Sequence, residues 1–129
     1  MTNATAPAVT LTRVLLVMPA ILLAFGGVAH MRAFSRAVDA VAVSNIEPFF
    51  GNALKALWLM DSAGMYVLSA VCVTIVLRPP AASGLVIAML SLIPFSTAAL
   101  LYVFIGNFFA AHMLMVAGAS MATAAISQR

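Results

Sequence analysis

The chain has 129 residues, of which 65% are hydrophobic and 7% are charged, whereas about 25% of residues are charged in an average soluble domain. This composition excludes an ordinary soluble domain and indicates a membrane protein whose functional site lies in or at the bilayer. The net charge of +3 reflects a scarcity of acids, and the basic residues are scattered singly, so the sequence gives no support for nucleic-acid binding.

The first apolar run extends from Val14 to Ala29 and follows Arg13. Its short basic start and its Gly-Val-Ala end are also typical of a signal peptide. We interpret the run as a retained first span over about residues 12–30, because a bilayer crossing requires about 17–25 apolar residues.

The segment after the first span has a helical pattern of its own. Within residues 31–43, Arg32, Arg36 and Asp39 recur at helical spacing, and apolar residues occupy another face. This pattern predicts a short interfacial helix whose arginines face lipid headgroups.

The second span is predicted to begin at a proline. Pro48 suits the first turn of a helix, which then meets no breaker before Leu77. At 1.5 Å per residue such a helix is about 45 Å long and exceeds a hydrocarbon core of about 30 Å, so we expect the buried part at about residues 56–77. Lys55 can then extend to the headgroups, whereas Asp61 lies within the bilayer and needs a polar partner.

Two further spans, at about residues 85–105 and 108–126, are separated by turn residues, "RPPAASG" before the third span and "GN" before the fourth. The last two spans should therefore form an antiparallel hairpin. The predicted architecture is a single all-α domain, an integral membrane bundle of four transmembrane helices with a short interfacial helix in the first loop.

Polar residues from distant parts of the chain are predicted to meet on one side of the membrane. In an antiparallel bundle the first and third loops lie on the same side, so the end of span one meets the starts of spans two and four. This places His30 at the level of Glu47 and Asp61, with Asn107 and His112 nearby. We expect the partner of Asp61 to come from another helix, as His30 or His112. One face of span two should point into the bundle, and it carries Lys55, Trp58, Asp61, Ser62, Met65, Tyr66 and Ser69.

The first functional interpretation of this cluster, apart from a purely structural ion pair, is binding. A pocket between helices could hold a lipophilic ligand or a partner helix. The candidate ligand-binding residues are Trp58, Ser62, Tyr66, Asn107 and Lys55.

The second interpretation is acid–base catalysis on a lipophilic substrate, of the isomerase, cyclase or epoxide-opening type. Asp61 or Glu47 would work with His30 or His112. In a third alternative the two histidines, each within an Ala-His-Met triplet, hold haem or copper. We expect no metal and no cofactor.

A proton-coupled small transporter is a further alternative, because small drug-efflux proteins also combine four helices with one membrane carboxylate. Those proteins carry an essential Glu in the first span, where residues 14–29 have no acid. The close of span one, "GGVAH", and the opening of span two, "LKALWLMDS", resemble small bacterial four-helix inner-membrane proteins of unknown function. The resemblance covers most of the chain and suggests an inner-membrane location, but it implies no activity.

The expected partners are membrane lipids and either further copies of the chain or other subunits of a membrane complex. Arg13, Arg78 and Arg129 flank helix ends with no acids nearby, which favours both termini in the cytoplasm. Small residues allow helices, including those of a second copy, to approach closely; they are Gly26, Gly27, Gly64, Gly118, Ala119 and Ala122.

Overall fold

A computed structural model describes residues 6–128, with side chains from residue 10 onward. The described part contains helices and no strand, which confirms the predicted all-α class. The helices are α1 (Ala6–Arg32), α2 (Phe34–Ala42), α3 (Pro48–Leu77), α4 (Gly84–Phe104) and α5 (Phe109–Ser127), with a 3-10 turn at Pro79–Ala81. Four of them are long and apolar enough to cross a membrane, and the chain is a small integral membrane protein.

Helix boundaries follow the breaker residues closely. Helix α3 begins at Pro48 and ends at Leu77, as predicted, just before the two prolines of the 3-10 turn. Between α4 and α5, Gly106 has a φ of +89°, which only glycine adopts readily, and its N–H donates to the carbonyl oxygen of Leu101. Helix α1 extends beyond the predicted 12–30 at both ends, and at its C-terminal end Ala33 links it almost directly to α2.

The four long helices pack in the order α3, α1, α5, α4, and neighbours in this row make the extensive contacts. In the described part of the chain α3 and α4 make at most marginal contact with each other. The bundle is therefore a curved row of helices in which α1 and α5 form the middle and α3 and α4 form the two outer members.

The core lies mainly away from the first and third loops and contains small hydroxyl residues as well as apolar ones. Leu16 and Met121 are fully buried there. Hydroxyl groups join neighbouring helices: Ser69 donates to the carbonyl oxygen of Ala20 at 2.7 Å, and Ser120 donates to that of Leu15 at 2.6 Å. Such bonds satisfy polar side chains within the bilayer and fix the rotation of one helix against the next.

The buried face of α3 agrees with the predicted polar face near its start but not along its whole length. Ser62 is fully buried, whereas Met60 and Val67, on the opposite side, are exposed to the surroundings of the bundle. Toward the end of α3 the buried stripe shifts to Leu68 and Ile75, which are not among the residues of the predicted inward face. This shift arises because α3 also joins the main core there.

Candidate functional site

A cavity with a volume of about 440 Å³ lies between all four long helices, near the ends of α1 and α4 and the start of α5. Most of its wall is aliphatic, aromatic or thioether surface, and His30 and Asp61 are its two ionisable residues. The lining residues are Leu22, Leu23, Phe25, Gly26, Ala29, His30 and Ala33 of the first helices, Trp58, Asp61 and Met65 of α3, and Leu101, Ile105, Phe108, Phe109, Ala110, Met113, Leu114 and Ala117 of α4, α5 and their turn.

The ionisable end of the cavity is a histidine–carboxylate pair. Nε2 of His30 lies 3.6 Å from Oδ2 of Asp61, and the two side chains are 25% and 39% exposed. At that distance the groups attract when oppositely charged, but they are too far apart for a direct hydrogen bond. The structure thus brings Asp61 to one of its two expected partners, across the α1–α3 contact.

Trp58 covers one face of the His30 ring. The indole and imidazole rings are stacked, with their centroids 4.2 Å apart and their planes 11° from parallel. The indole N–H of Trp58 donates to the backbone carbonyl oxygen of His30 at 2.8 Å. Since the last carbonyl groups of a helix have no partner within it, Trp58 both orients the ring and satisfies the end of α1.

Ser62 forms a hydrogen bond with Nδ1 of His30, the ring nitrogen opposite the one that faces Asp61. Its Oγ lies 2.9 Å from Nδ1, and its hydroxyl hydrogen is donated to the carbonyl oxygen of Trp58 at 3.2 Å. The carbonyl oxygen of Trp58 can only accept, so we assign the hydroxyl hydrogen of Ser62 to that oxygen and a ring proton of His30 to Nδ1. In the neutral tautomer assigned in this way, Nε2 is an acceptor that faces Asp61.

The serine, histidine and aspartate do not form a nucleophilic triad. Ser62 is fully buried and is not part of the cavity wall. Asp61 and Ser62 flank opposite nitrogens of His30, but the hydroxyl that would have to attack a substrate is sealed behind the ring. Ser62 positions His30.

His112 belongs to a different cluster from the one we expected. Its Nδ1 lies 2.7 Å from the hydroxyl oxygen of Tyr102, and its Nε2 lies 2.6 Å from Oδ1 of Asn107. The expectation that His112 partners Asp61 is wrong, because its side chain is exposed on the α4–α5 hairpin and bonded there. Tyr102 was not identified from the sequence, although it and His112 each lie five residues from Asn107, as cross-hairpin neighbours would.

The remaining predicted site residues lie outside the cavity wall. Glu47 is exposed at the start of α3, and Lys55 forms no ion pair within the described part of the chain. The ring of Tyr66 packs against Gly27 of α1: a Cβ placed at that glycine would lie 3.0 Å from the nearest ring atom. Among the predicted ligand-binding residues, Trp58 is the one that lines the cavity.

The positions of His30 and His112 disfavour the alternative in which the two histidines together hold haem or copper. Both ring nitrogens of His112 are hydrogen-bonded within its own cluster, and His30 faces Asp61 across the α1–α3 contact. Joint ligation of one iron or copper ion would require His112 to give up the hydrogen bond at one of its ring nitrogens and to turn toward His30. Within residues 6–128 no group of three or more histidine, cysteine, aspartate or glutamate side chains could hold a metal ion.

Comparisons with models of known protein families, with curated proteins and with solved structures found no match. The residues around the cavity form an apolar chamber with one polar end, where Nε2 of His30 and the carboxylate of Asp61 face the same space.

Proposed function

We propose that this membrane protein binds a lipid-soluble small molecule in the cavity between its four long helices. The observation that carries the proposal is the combination of a 440 Å³ apolar cavity with one ionisable pair, His30 and Asp61, in its wall. Ligand sites have volumes of about 300–1,000 Å³ and combine mostly apolar walls with a few polar groups that orient the ligand.

The dimensions of the cavity favour a small molecule over a partner helix. Its wall runs from Leu22 of α1 to Ala33, just after that helix, which is about 17 Å at 1.5 Å per residue, or roughly half of a bilayer core. A transmembrane partner would need a groove along the whole bundle, whereas a short alkyl or ring system fits a chamber in one half of it.

The packing order gives the ligand a route from the lipid. Since α3 and α4 scarcely touch, the side of the cavity between Met65 on α3 and Ile105 after α4 is the natural entrance. A lipid-soluble molecule would enter sideways from the bilayer and place its polar group against His30 and Asp61.

Acid–base catalysis on such a molecule is the second candidate function. The observation that favours it is that Nε2 of His30 and Oδ2 of Asp61, 3.6 Å apart, are held close enough to share one proton with a substrate atom between them. Turnover lost in Asp61→Asn, with ligand binding retained, would distinguish catalysis from binding alone.

Trp58 supplies a direct test, because it is the sole tryptophan of the chain and lines the cavity. The full chain would be placed in lipid nanodiscs and titrated with 1-bromodecane, whose bromine quenches indole fluorescence on contact. We expect saturable quenching at low mole fractions of the probe, superimposed on a weak linear effect from probe dissolved in the lipid.

A cavity-filling variant and a matched control distinguish quenching by bound probe from quenching by probe dissolved in the lipid. Ala110→Phe fills the chamber from the wall of α5, whereas Ala119→Phe places the same side chain at an exposed position of the same helix. The saturable component should vanish in Ala110→Phe and persist in Ala119→Phe. Linear quenching in the unmodified protein, or saturable quenching unaffected by Ala110→Phe, would overturn the proposal.

A further inference from the structure

With the ring proton of His30 assigned to Nδ1, the polar end of the cavity offers two hydrogen-bond acceptors. Oγ of Ser62 lies 2.9 Å from Nδ1 and donates its hydrogen to the carbonyl oxygen of Trp58, so Nε2 of the neutral ring in this tautomer presents a lone pair. Oδ2 of Asp61 lies 3.6 Å from that nitrogen, and an ionised carboxylate also only accepts. In this tautomer, a ligand group that binds to both atoms has to donate a hydrogen bond to each.

The charge of the cavity wall favours a hydrogen-bond donor that is also positively charged. Asp61 is the one acidic residue of that wall, and no lysine or arginine lines the chamber. A carboxylate held within a bilayer requires a counter-charge, and His30 supplies one only by taking up a second proton. A cationic ligand would balance the charge of Asp61 without a second proton on His30.

We infer that the ligand is a lipophilic amine whose protonated nitrogen bridges Nε2 of His30 and Oδ2 of Asp61; this inference rests on the proposed binding function. A primary or secondary ammonium carries both the charge and the two N–H donors that the pair requires, and a nitrogen can lie at about 2.8 Å from each acceptor. The alkyl or aromatic body of the molecule then occupies the apolar chamber. Rings of Phe25 and Phe108 in the wall add surface that is compatible with a cation.

A lipophilic acid should be the poorest ligand of a series with matched alkyl chains. A carboxylate head would meet Asp61 with like charge and would offer no hydrogen to His30. A fatty alcohol would donate one hydrogen bond and leave the charge of Asp61 unbalanced. The expected order of affinity is therefore amine, alcohol, acid.

The test uses displacement of 1-bromodecane from the full chain in zwitterionic nanodiscs at pH 7. Decylamine, decanol, decanoic acid and decyltrimethylammonium are compared by the recovery of Trp58 fluorescence. We expect decylamine to displace the probe about tenfold more effectively than decanol, the size of effect that one charge-assisted hydrogen bond gives. The quaternary ammonium has the charge but no N–H donor and should be weaker than decylamine.

Substitutions then test whether the preference for the amine over the alcohol arises from Asp61. Asp61→Asn should reduce the amine-to-alcohol ratio to within about threefold, whereas Asp39→Asn, an exposed change on α2 outside the cavity, should leave it unchanged. Should Asp61→Asn fail to fold, the ligand series on the unmodified protein decides alone. Equal displacement by amine and alcohol, with saturable quenching still present, overturns this inference and leaves the binding function standing; absence of saturable quenching overturns both.

Discussion

Trp58 lies flat against the imidazole ring of His30, at a centroid distance of 4.2 Å, and at the same time donates its indole N–H to the backbone of that residue. One side chain of α3 thus fixes both the ring and the main chain at the end of α1. This double contact makes Trp58 a structural element of the site as well as part of the cavity wall.

Substitution of Trp58 should separate these two contributions. Trp58→Phe retains an aromatic ring over His30 but removes the hydrogen bond to its carbonyl group, at an expected cost of about 0.5–2 kcal/mol in the free energy of unfolding. Trp58→Leu removes both contacts and should cost more. Reversible unfolding in mixed micelles, followed by circular dichroism, measures both variants; equal stability of Phe and Leu variants would show that the stacking contributes nothing.

Ser62 is expected to determine which nitrogen of His30 carries the proton. Ser62→Ala removes the acceptor at Nδ1, so the neutral ring should shift toward the tautomer with the proton on Nε2, where Asp61 can accept it. Solid-state nitrogen spectra of ¹⁵N-histidine-labelled protein report the tautomer directly. Because the chain has two histidines, the His112→Gln variant assigns the signals.

Ser69→Ala is the matched control for Ser62→Ala. Ser69 also joins α3 to α1 by one buried hydrogen bond, to the carbonyl oxygen of Ala20, but it has no contact with His30. Both variants should lose a similar amount of stability, about 0.5–2 kcal/mol, and only Ser62→Ala should move the histidine signals. Identical spectra for the two variants would contradict the positioning role of Ser62.

The helices, and one of the two expected contacts between a histidine and Asp61, could be predicted from the sequence. Apolar runs and proline breakers predicted α3 from Pro48 to Leu77, and antiparallel topology predicted that His30 and Asp61 lie at the same depth. Depth along the membrane normal does not specify rotation about a helix axis, and that rotation directs His112 away from the cavity toward Tyr102. Such rotation depends on side-chain packing between helices, which hydropathy does not encode.

The sequence predicted a pocket between helices, but its shape and most of its wall could not be predicted from the pattern of residues. Its wall is made of ordinary apolar residues such as Leu22 and Met113, which are the same types that face lipid elsewhere on these helices. They form a chamber only because α3 and α4 remain apart in the packing order. The polar face of α3 indicated where the site lies, but the shape of the site came from helix packing.

His112 should be dispensable for ligand binding. It is bonded to Tyr102 and Asn107 on the hairpin and is absent from the cavity wall, so His112→Gln should leave the saturable quenching of Trp58 by 1-bromodecane unchanged. His30→Gln, at the polar end of the chamber, should reduce the preference for decylamine over decanol. A comparable loss in both variants would mean that the two histidines act on one site.

Two glycines, Gly84 of α4 and Gly118 of α5, lie at contacts between these two helices. A Cβ added at Gly84 would lie 2.7 Å from the backbone carbonyl oxygen of Ala125, and one added at Gly118 would lie 3.0 Å from the ring of Phe95. At Gly64, on the outer side of α3, an added Cβ would have no atom within 4 Å. The three sites thus differ in what an added methyl group would meet: main chain, a side-chain ring or open surroundings.

Glycine-to-alanine substitution at these sites should give a graded loss of stability. Gly84→Ala is expected to cost the most, because a backbone carbonyl group can move only if α4 and α5 separate; Gly118→Ala should cost about 1–3 kcal/mol, since the ring of Phe95 can shift. Gly64→Ala should be neutral or should stabilise α3 by up to about 1 kcal/mol through helix propensity. Unfolding in mixed micelles ranks the three variants, and a Gly84→Ala protein as stable as Gly64→Ala would refute the close contact between the start of α4 and the end of α5.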